Sequence, residues 1–188
     1  MAWDTEKTRR ALLAAAVVEF SAHGFAGARI DRISTEAGVN KERIYPYFGG
    51  KAGLFRAALL DSLGDWVHEA RIEGRGAEAI GRFAGELVDC YVAAPHLPRL
   101  LAWEGLEAPL VPDDERVAIC ADRIDGILSA LPDLDRERAA RLLLSILVLV
   151  NGSWTLPQLA AATGVARADH AALRASLVRQ ATALAEAT

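Results

Sequence analysis

Apolar residues recur along the chain at three- and four-residue intervals, and no run alternates with period two, so the pattern predicts helices throughout. A first helix follows Asp4, carries Leu12, Ala16, Val17 and Phe20 at helical spacing, and ends at Gly24. A second runs from Arg29 to Ala37 with Ile30, Ile33 and Ala37 facing inward. Gly38 makes a tight turn, Val39 plugs the gap between helices, and Asn40 caps a third helix whose buried side is Ile44 and Phe48. After Gly49-Gly50 a longer fourth helix starts at Lys51, marked by Leu54, Phe55, Ala58, Leu59, Ser62 and Leu63, with closure at Gly74-Arg75-Gly76. Further helices are expected over 77–93, stopped by Pro95, over 98–107, stopped by Ala108-Pro109, and over 113–131, stopped by Pro132. Asp135 caps a helix extending to about Trp154, where Pro157 kinks or ends it, and a last helix spans 168–187. The sequence therefore predicts an all-α fold of about nine helices. Residues 1–50 form a three-helix unit containing a helix-turn-helix, and residues 51–188 form a larger helical domain.

Composition agrees with this pattern and narrows it. About half of the 188 residues are apolar and about a quarter charged, which suits a globular chain. The strongest apolar run, Leu142 to Val150, is far shorter than the roughly 20 residues of a membrane span. With no secretory leader pattern, the expectation is a cytoplasmic protein. Cys90 and Cys120 lack the close spacing of a disulfide framework or zinc cluster, and the four histidines form no ligand pair, so no metal or cofactor is expected. Neither a nucleophile–base pair nor a phosphate loop occurs, and an enzyme is not expected. The net charge of −4 is unevenly spread. Residues 1–56 hold nine Lys/Arg against six acids, and the remainder holds 12 against 19. A basic head on an acidic body is the asymmetry that attracts a polyanion from one side.

The candidate chemistry lies just after the Gly38 turn, where Asn40-Lys41-Glu42-Arg43-Ile44-Tyr45-Pro46-Tyr47 crowds cations and aromatic rings onto one short helix. A helix of this kind behind a tight turn suits docking in a DNA groove. The surrounding residues resemble the tetracycline-repressor (TetR) family of bacterial regulators. The resemblance rests on Phe20-Ser21-Ala22-His23-Gly24-Phe25, Ile30-Asp31-Arg32-Ile33-Ser34, Ala37-Gly38-Val39-Asn40, Ile44-Tyr45-Pro46-Tyr47-Phe48, Lys51 and Leu54, and it covers residues 7 to about 60. It implies that Asn40, Lys41, Glu42, Arg43 and Tyr45 belong to the DNA-facing segment, with Arg43 able to fork onto guanine O6 and N7. It also implies that Tyr47 and Lys51 reach phosphate, Lys51 from a helix N-terminus that already favours anions, and Arg29, which departs from the family pattern, can still reach phosphate.

Three positions depart from the family pattern. Ala28-Arg29 stand where a capping Ser or Thr is usual, so the second helix loses its N-cap. Glu42 turns a negative charge toward the groove. Pro46 cannot donate to the Glu42 carbonyl, and the third helix is expected to end or tighten there.

Beyond residue 65 the resemblance implies a ligand-binding and dimerising body, with the last two helices forming a four-helix interface between two copies. Ligand-lining candidates are Phe83, Leu87 and Tyr91 on one helix, Ile124 on another, and Asn151 and Trp154 on a third, with Trp66 and Trp103 closing the side. Their mostly apolar character suits a small hydrophobic effector, although aliphatic and aromatic residues at helical spacing equally suit plain core. Two readings follow. One is a repressor that binds a palindromic operator as a dimer and is released by a ligand. The other is an effector-independent DNA binder whose body only dimerises or holds a protein partner.

Overall fold

The computed structural model describes residues 2–67, 70–107, 114–164 and 169–188, with the side chains of all but 2–4 and 65–67. Asp4, Trp66, Asp113 and Ala168, each given a role or a helix boundary above, lie outside the described side chains. Among the described residues ten α-helices and one 3-10 turn follow in order: α1 Ala2–Gly27, α2 Ile30–Ala37, the turn Lys41–Arg43, α3 Ile44–Phe48, α4 Lys51–Val67, α5 Ala77–Ala93, α6 Leu97–Glu107, α7 Asp114–Ala130, α8 Arg136–Thr155, α9 Pro157–Ala162 and α10 His170–Glu186. Among the described residues there is no strand. None of the helices is long and apolar enough to cross a membrane.

Most boundaries follow the punctuation in the sequence. Asp135 caps α8 by accepting from the Arg138 amide at 2.8 Å, and Asp169 caps α10 by accepting from Ala172 at 2.9 Å. Three boundaries differ from expectation. The first helix does not end at Gly24 but is carried past a kink there to Gly27. The fourth helix is described to Val67, and residues 70–73 are not helical, so it does not reach Gly74. Pro157 does not merely end α8; it starts a further short helix, α9, as its first residue, where a missing N–H costs nothing.

The chain divides by packing into two units, Met1–Asp65 with Ala94–Leu110, and Trp66–Ala93 with Val111–Thr188. By packing, most of α4 and all of α6 therefore belong with the first three helices, whereas the sequence divides the chain at residue 50. In the first unit Leu12, Leu13, Ala16, Phe20, Ile33, Ile44, Leu54, Phe55, Ala58 and Leu59 are buried. Phe55 meets Phe20 edge-on at 5.0 Å and Phe25 at 5.7 Å, so α4 is keyed to the end of α1 by aromatic edges.

α6 is fastened along α1 by three side chains one helical turn apart. Arg99 Nε donates to the Ser21 carbonyl at 2.8 Å, and Glu107 Oε2 accepts from the Ala26 amide at 2.9 Å. Between them the Trp103 indole covers Gly24, where a Cβ would stand 2.8 Å from the ring. Gly24 has φ 69° and breaks the α1 ladder there, which is why a carbonyl before it and an amide after it are free to bind α6.

In the second unit α5 lies along α10, and α7, α8 and α5 complete the packing. The α5–α10 seam is close because α5 offers glycines. A Cβ on Gly81 would lie 2.1 Å from Thr182 Oγ1 and 3.1 Å from the Val178 carbonyl oxygen. The Thr182 hydroxyl is already committed to that same carbonyl at 3.0 Å. On the other side of the seam α10 buries Leu177, Ala181 and Ala185. Gly81→Ala should therefore force the two helices apart and destabilise the fold by about 1–3 kcal/mol, read as a lowered thermal midpoint in circular dichroism. An unchanged midpoint would mean the seam is looser than it stands here.

Candidate nucleic-acid interface

The turn between α2 and the recognition segment is built from backbone alone. Gly38 takes φ 63°, its amide donates to the Thr35 carbonyl, and the Val39 amide donates to Ser34 at 3.0 Å, the paired bonds of a Schellman end. Asn40 then caps the next segment, its Oδ1 accepting from the Glu42 amide at 3.0 Å. The expected N-cap is thus in place, and it draws the Asn40 side chain onto the protein's own backbone.

The third helix is tightened, though not where Pro46 led us to expect. The 3-10 geometry covers Lys41–Arg43, and α3 continues through Pro46 to Phe48, where Gly49 at φ 71° closes it. The reason is positional. With α3 beginning at Ile44, Pro46 falls in its first turn, where amides have no intrahelical acceptor to lose. Ile44 is fully buried and anchors the segment. Against α4 the approach is closer still: a Cβ on Gly53 would stand 1.7 Å from the Phe48 carbonyl oxygen, so only glycine lets α3 end against the first turn of α4.

The sequence-predicted contact residues fall into distinct states. Glu42, Arg43 and Tyr45 are exposed, Tyr45 at 63 %. Neither Glu42 nor Arg43 has an ion-pair partner among the described residues. Lys41 is exposed too, but its Nζ donates to Asp31 Oδ1 at 3.0 Å, and the nearby carboxylate raises its pKa. Tyr47 is half-buried, its ring tilted against Phe48 at 6.1 Å. Lys51 turns back onto the end of α1, with Nζ 3.3 Å from the Ala26 carbonyl and 5.0 Å from the centre of the Phe25 ring. Arg29 is the N-cap residue of α2, with an exposed side chain and no capping bond from it.

That missing cap is replaced from α1. Glu19, almost wholly buried, accepts at Oε1 from the Arg29 amide at 2.8 Å and from Arg32 Nε at 2.8 Å. Arg32 reaches on to the Gly27 carbonyl at 3.0 Å, so one carboxylate ties the start of α2 to α1. Burial pushes the Glu19 pKa up, but the Arg32 guanidinium and the Arg29 amide outweigh it and leave the carboxyl below its ordinary value of 4.5. Sequence reasoning missed Glu19, since a lone acid beside Phe20 looks like any solvated position.

The ligand candidates are distributed differently. Tyr91 and Trp154 meet edge-on at 5.2 Å, and Asn151 lies beside Tyr91, its Nδ2 donating to the Leu147 carbonyl at 2.7 Å. Burial pushes the Tyr91 hydroxyl up to about 12, so the phenol stays neutral. Asn151 Oδ1 is buried without a hydrogen-bond partner among the described residues. Phe83 is buried, and Leu87 and Ile124 are half-buried in the same unit. Trp103 belongs to the first unit, on Gly24.

A Schellman turn presenting a short segment of exposed cation and aromatic side chains, carried by an all-α chain, defines a DNA-binding transcriptional regulator of the helix-turn-helix class. Residues 12–58 match the model of the bacterial regulatory proteins of the tetR family, and residues 79–183 match a tetracyclin repressor-like C-terminal domain. The chain belongs to the TetR family. It is 36 % identical to the HTH-type transcriptional repressor SCO4008 of Streptomyces coelicolor, over 83 % of each protein. It is 35 % identical to the HTH-type transcriptional repressor NicS of Pseudomonas putida, over 58 % of this chain and 53 % of NicS. The crystal structure of SCO4942 from Streptomyces coelicolor superposes with a TM-score of 0.75 at 31 % identity, covering 93 % of this chain and 96 % of that one.

Because Glu19 is held as a carboxylate, its stabilising contribution is complete above pH 4.5 and is lost as the pH falls through its lower folded value. Glu19→Gln should cost about 1–3 kcal/mol at neutral pH, the worth of charge-assisted bonds to a buried group. The gap in stability between the two proteins, followed by denaturant titration, should close with acidification. A gap that is constant with pH would show that the charge contributes nothing.

Proposed function

We propose that the protein is a homodimeric repressor that reads a palindromic operator through Lys41, Glu42, Arg43 and Tyr45 and is released by a small hydrophobic ligand. The observation that carries the reading is Arg43, an exposed guanidinium with no acidic partner among the described residues, set on a segment whose direction is fixed by Asn40, Ile44 and Gly53. A free planar donor fork is what bidentate guanine recognition requires. Arg29, Tyr47 and Lys51 flank it as phosphate contacts, Lys51 after leaving its seat on Phe25. The sign of regulation is supported by SCO4008 and NicS, both named repressors.

Dimerisation is supported by α8, which exposes Leu144 at 63 % and Val148 at 64 %, one turn apart, while burying Leu142, Leu143, Ile146 and Val150 on its other side. Apolar groups of this size in water call for a partner surface. The exposed side of α10 adds Gln180 and Leu184. A second copy of α8 and α10 would cover both, which places two recognition helices on one face of DNA at half-sites about 34 Å apart. Ligand binding is supported by the cluster of buried Tyr91 with half-buried Asn151 and Trp154, where the Asn151 acceptor, unpartnered among the described residues, awaits a donor. Phe83, Leu87 and Ile124 of the same unit would line the apolar remainder. A ligand there would shift α4 and alter the spacing of the recognition helices.

Selection of genomic duplexes by the purified protein should yield an inverted repeat. Arg43→Ala should weaken binding to that duplex by about 1–3 kcal/mol and relax preference at one base pair of each half-site. Equal affinity for both proteins would refute the groove assignment. Leu144→Asp combined with Val148→Asp should convert the dimer to a helical monomer in sedimentation and abolish tight operator binding. Persistence of the dimer would move the interface elsewhere.

A further inference from the structure

Resting on the reading that residues 40–51 face DNA, we infer that Asp31 is a selectivity residue, restraining Lys41 so that phosphate attraction does not swamp base recognition. Asp31 lies in the first turn of α2, across the Gly38 turn from the recognition segment, and its Oδ1 takes the Lys41 ammonium at 3.0 Å. Both side chains are exposed, so the pair stands on the surface and contributes little to folding. Its effect is on the charge that DNA meets. Lys41 and Arg43 are balanced by Glu42 within the segment and by Asp31 across the turn, so these four groups sum to zero. Tyr45 and Glu42 also bear on the Lys41 ammonium, and each favours its charged form. Lys51 is parked on Phe25 and Ala26.

Attraction to DNA of arbitrary sequence is almost entirely a matter of phosphate neutralisation, and each cation that reaches a phosphate steepens the salt dependence by about 0.9. A lysine has a flexible stem and donates equally to any anion, so an unrestrained Lys41 would bind the nearest phosphate whatever the bases. Paired with Asp31, it meets DNA with an anion already beside it, which offsets part of its attraction to phosphate. The neutral balance leaves Arg43, the unpaired fork, to decide affinity by base identity.

The test compares the full-length protein with Asp31→Asn on two duplexes, one recovered by selection with the parent protein and one with the same bases scrambled. Asp31→Asn should bind the scrambled duplex about tenfold tighter at 50 mM salt, with a salt slope steeper by about one. Its gain on the selected duplex should be smaller, so discrimination falls. Adding Lys41→Ala should return the slope to the parent value. Glu36→Gln removes an exposed acid of the same helix that has no ion-pair partner among the described residues, and it should change neither slope nor discrimination. An unchanged slope in Asp31→Asn would overturn the inference, as would an equal gain from Glu36→Gln, which would indicate bulk charge. Loss of the selected duplex without gain on the scrambled one would make Asp31 a direct base contact instead. If the parent protein selects no duplex, the DNA-binding reading falls first and this inference with it.

Discussion

A helix of one and a half turns cannot hold itself together in water, because nucleation consumes the entropy of several residues before any hydrogen bond repays it. The recognition segment is a 3-10 turn followed by the five residues of α3, so every aspect of its direction is imposed from outside. Gly38 and Asn40 fix where it starts, Ile44 anchors it in the core, and Gly49 and Gly53 fix where it stops against α4. Much of what surrounds it in the first unit can be understood as the frame that a short reading element needs.

That frame is tied electrostatically as well as by packing. Glu19 substitutes for a local cap on α2 by reaching from a neighbouring helix, and in doing so it also fixes Arg32. Charges in the head are thus partitioned. Arg32 and Lys41 are matched by acids and Lys51 rests on a ring and a carbonyl, whereas Arg29 and Arg43 have no ion pair among the described residues. A head with an excess of cations in sequence presents a more discriminating set in three dimensions, which suits sequence reading better than general adhesion to DNA.

Among the described residues the Gly38 turn, the Asn40 and Asp135 caps and most helices were legible because glycine, proline and short acceptor side chains act locally. Asp135 and Gly49 mark ends in the sequence as they do in the structure. The failures are of another kind. The tolerance of Pro46 depended on where α3 begins, and that is set by Ile44 meeting the core rather than by propensity. α9 is too short to show a period. Glu19, Asp31 and Gly53 act on residues up to thirteen positions away or across a turn, and nothing in their immediate neighbours distinguishes them from solvated or flexible positions. The exposed Leu144 and Val148 lie within a run that the sequence shows only as apolar, and three dimensions were needed to tell its two sides apart.

The fastening of α1 by Arg99, Trp103 and Glu107 bears on how the molecule comes into being. Although α1 to α4 are contiguous and early in the chain, the carbonyl of Ser21, the face of Gly24 and the amide of Ala26 find their partners only some eighty residues later. During synthesis the head emerges first yet is left unfinished, its kinked helix end open to water, until α6 has cleared the ribosome. Such long-range closure slows folding relative to a bundle of purely local contacts. A nascent chain would therefore acquire its finished DNA-reading end only after part of the second unit's sequence had also been made, so that incomplete chains lack the fully fastened head.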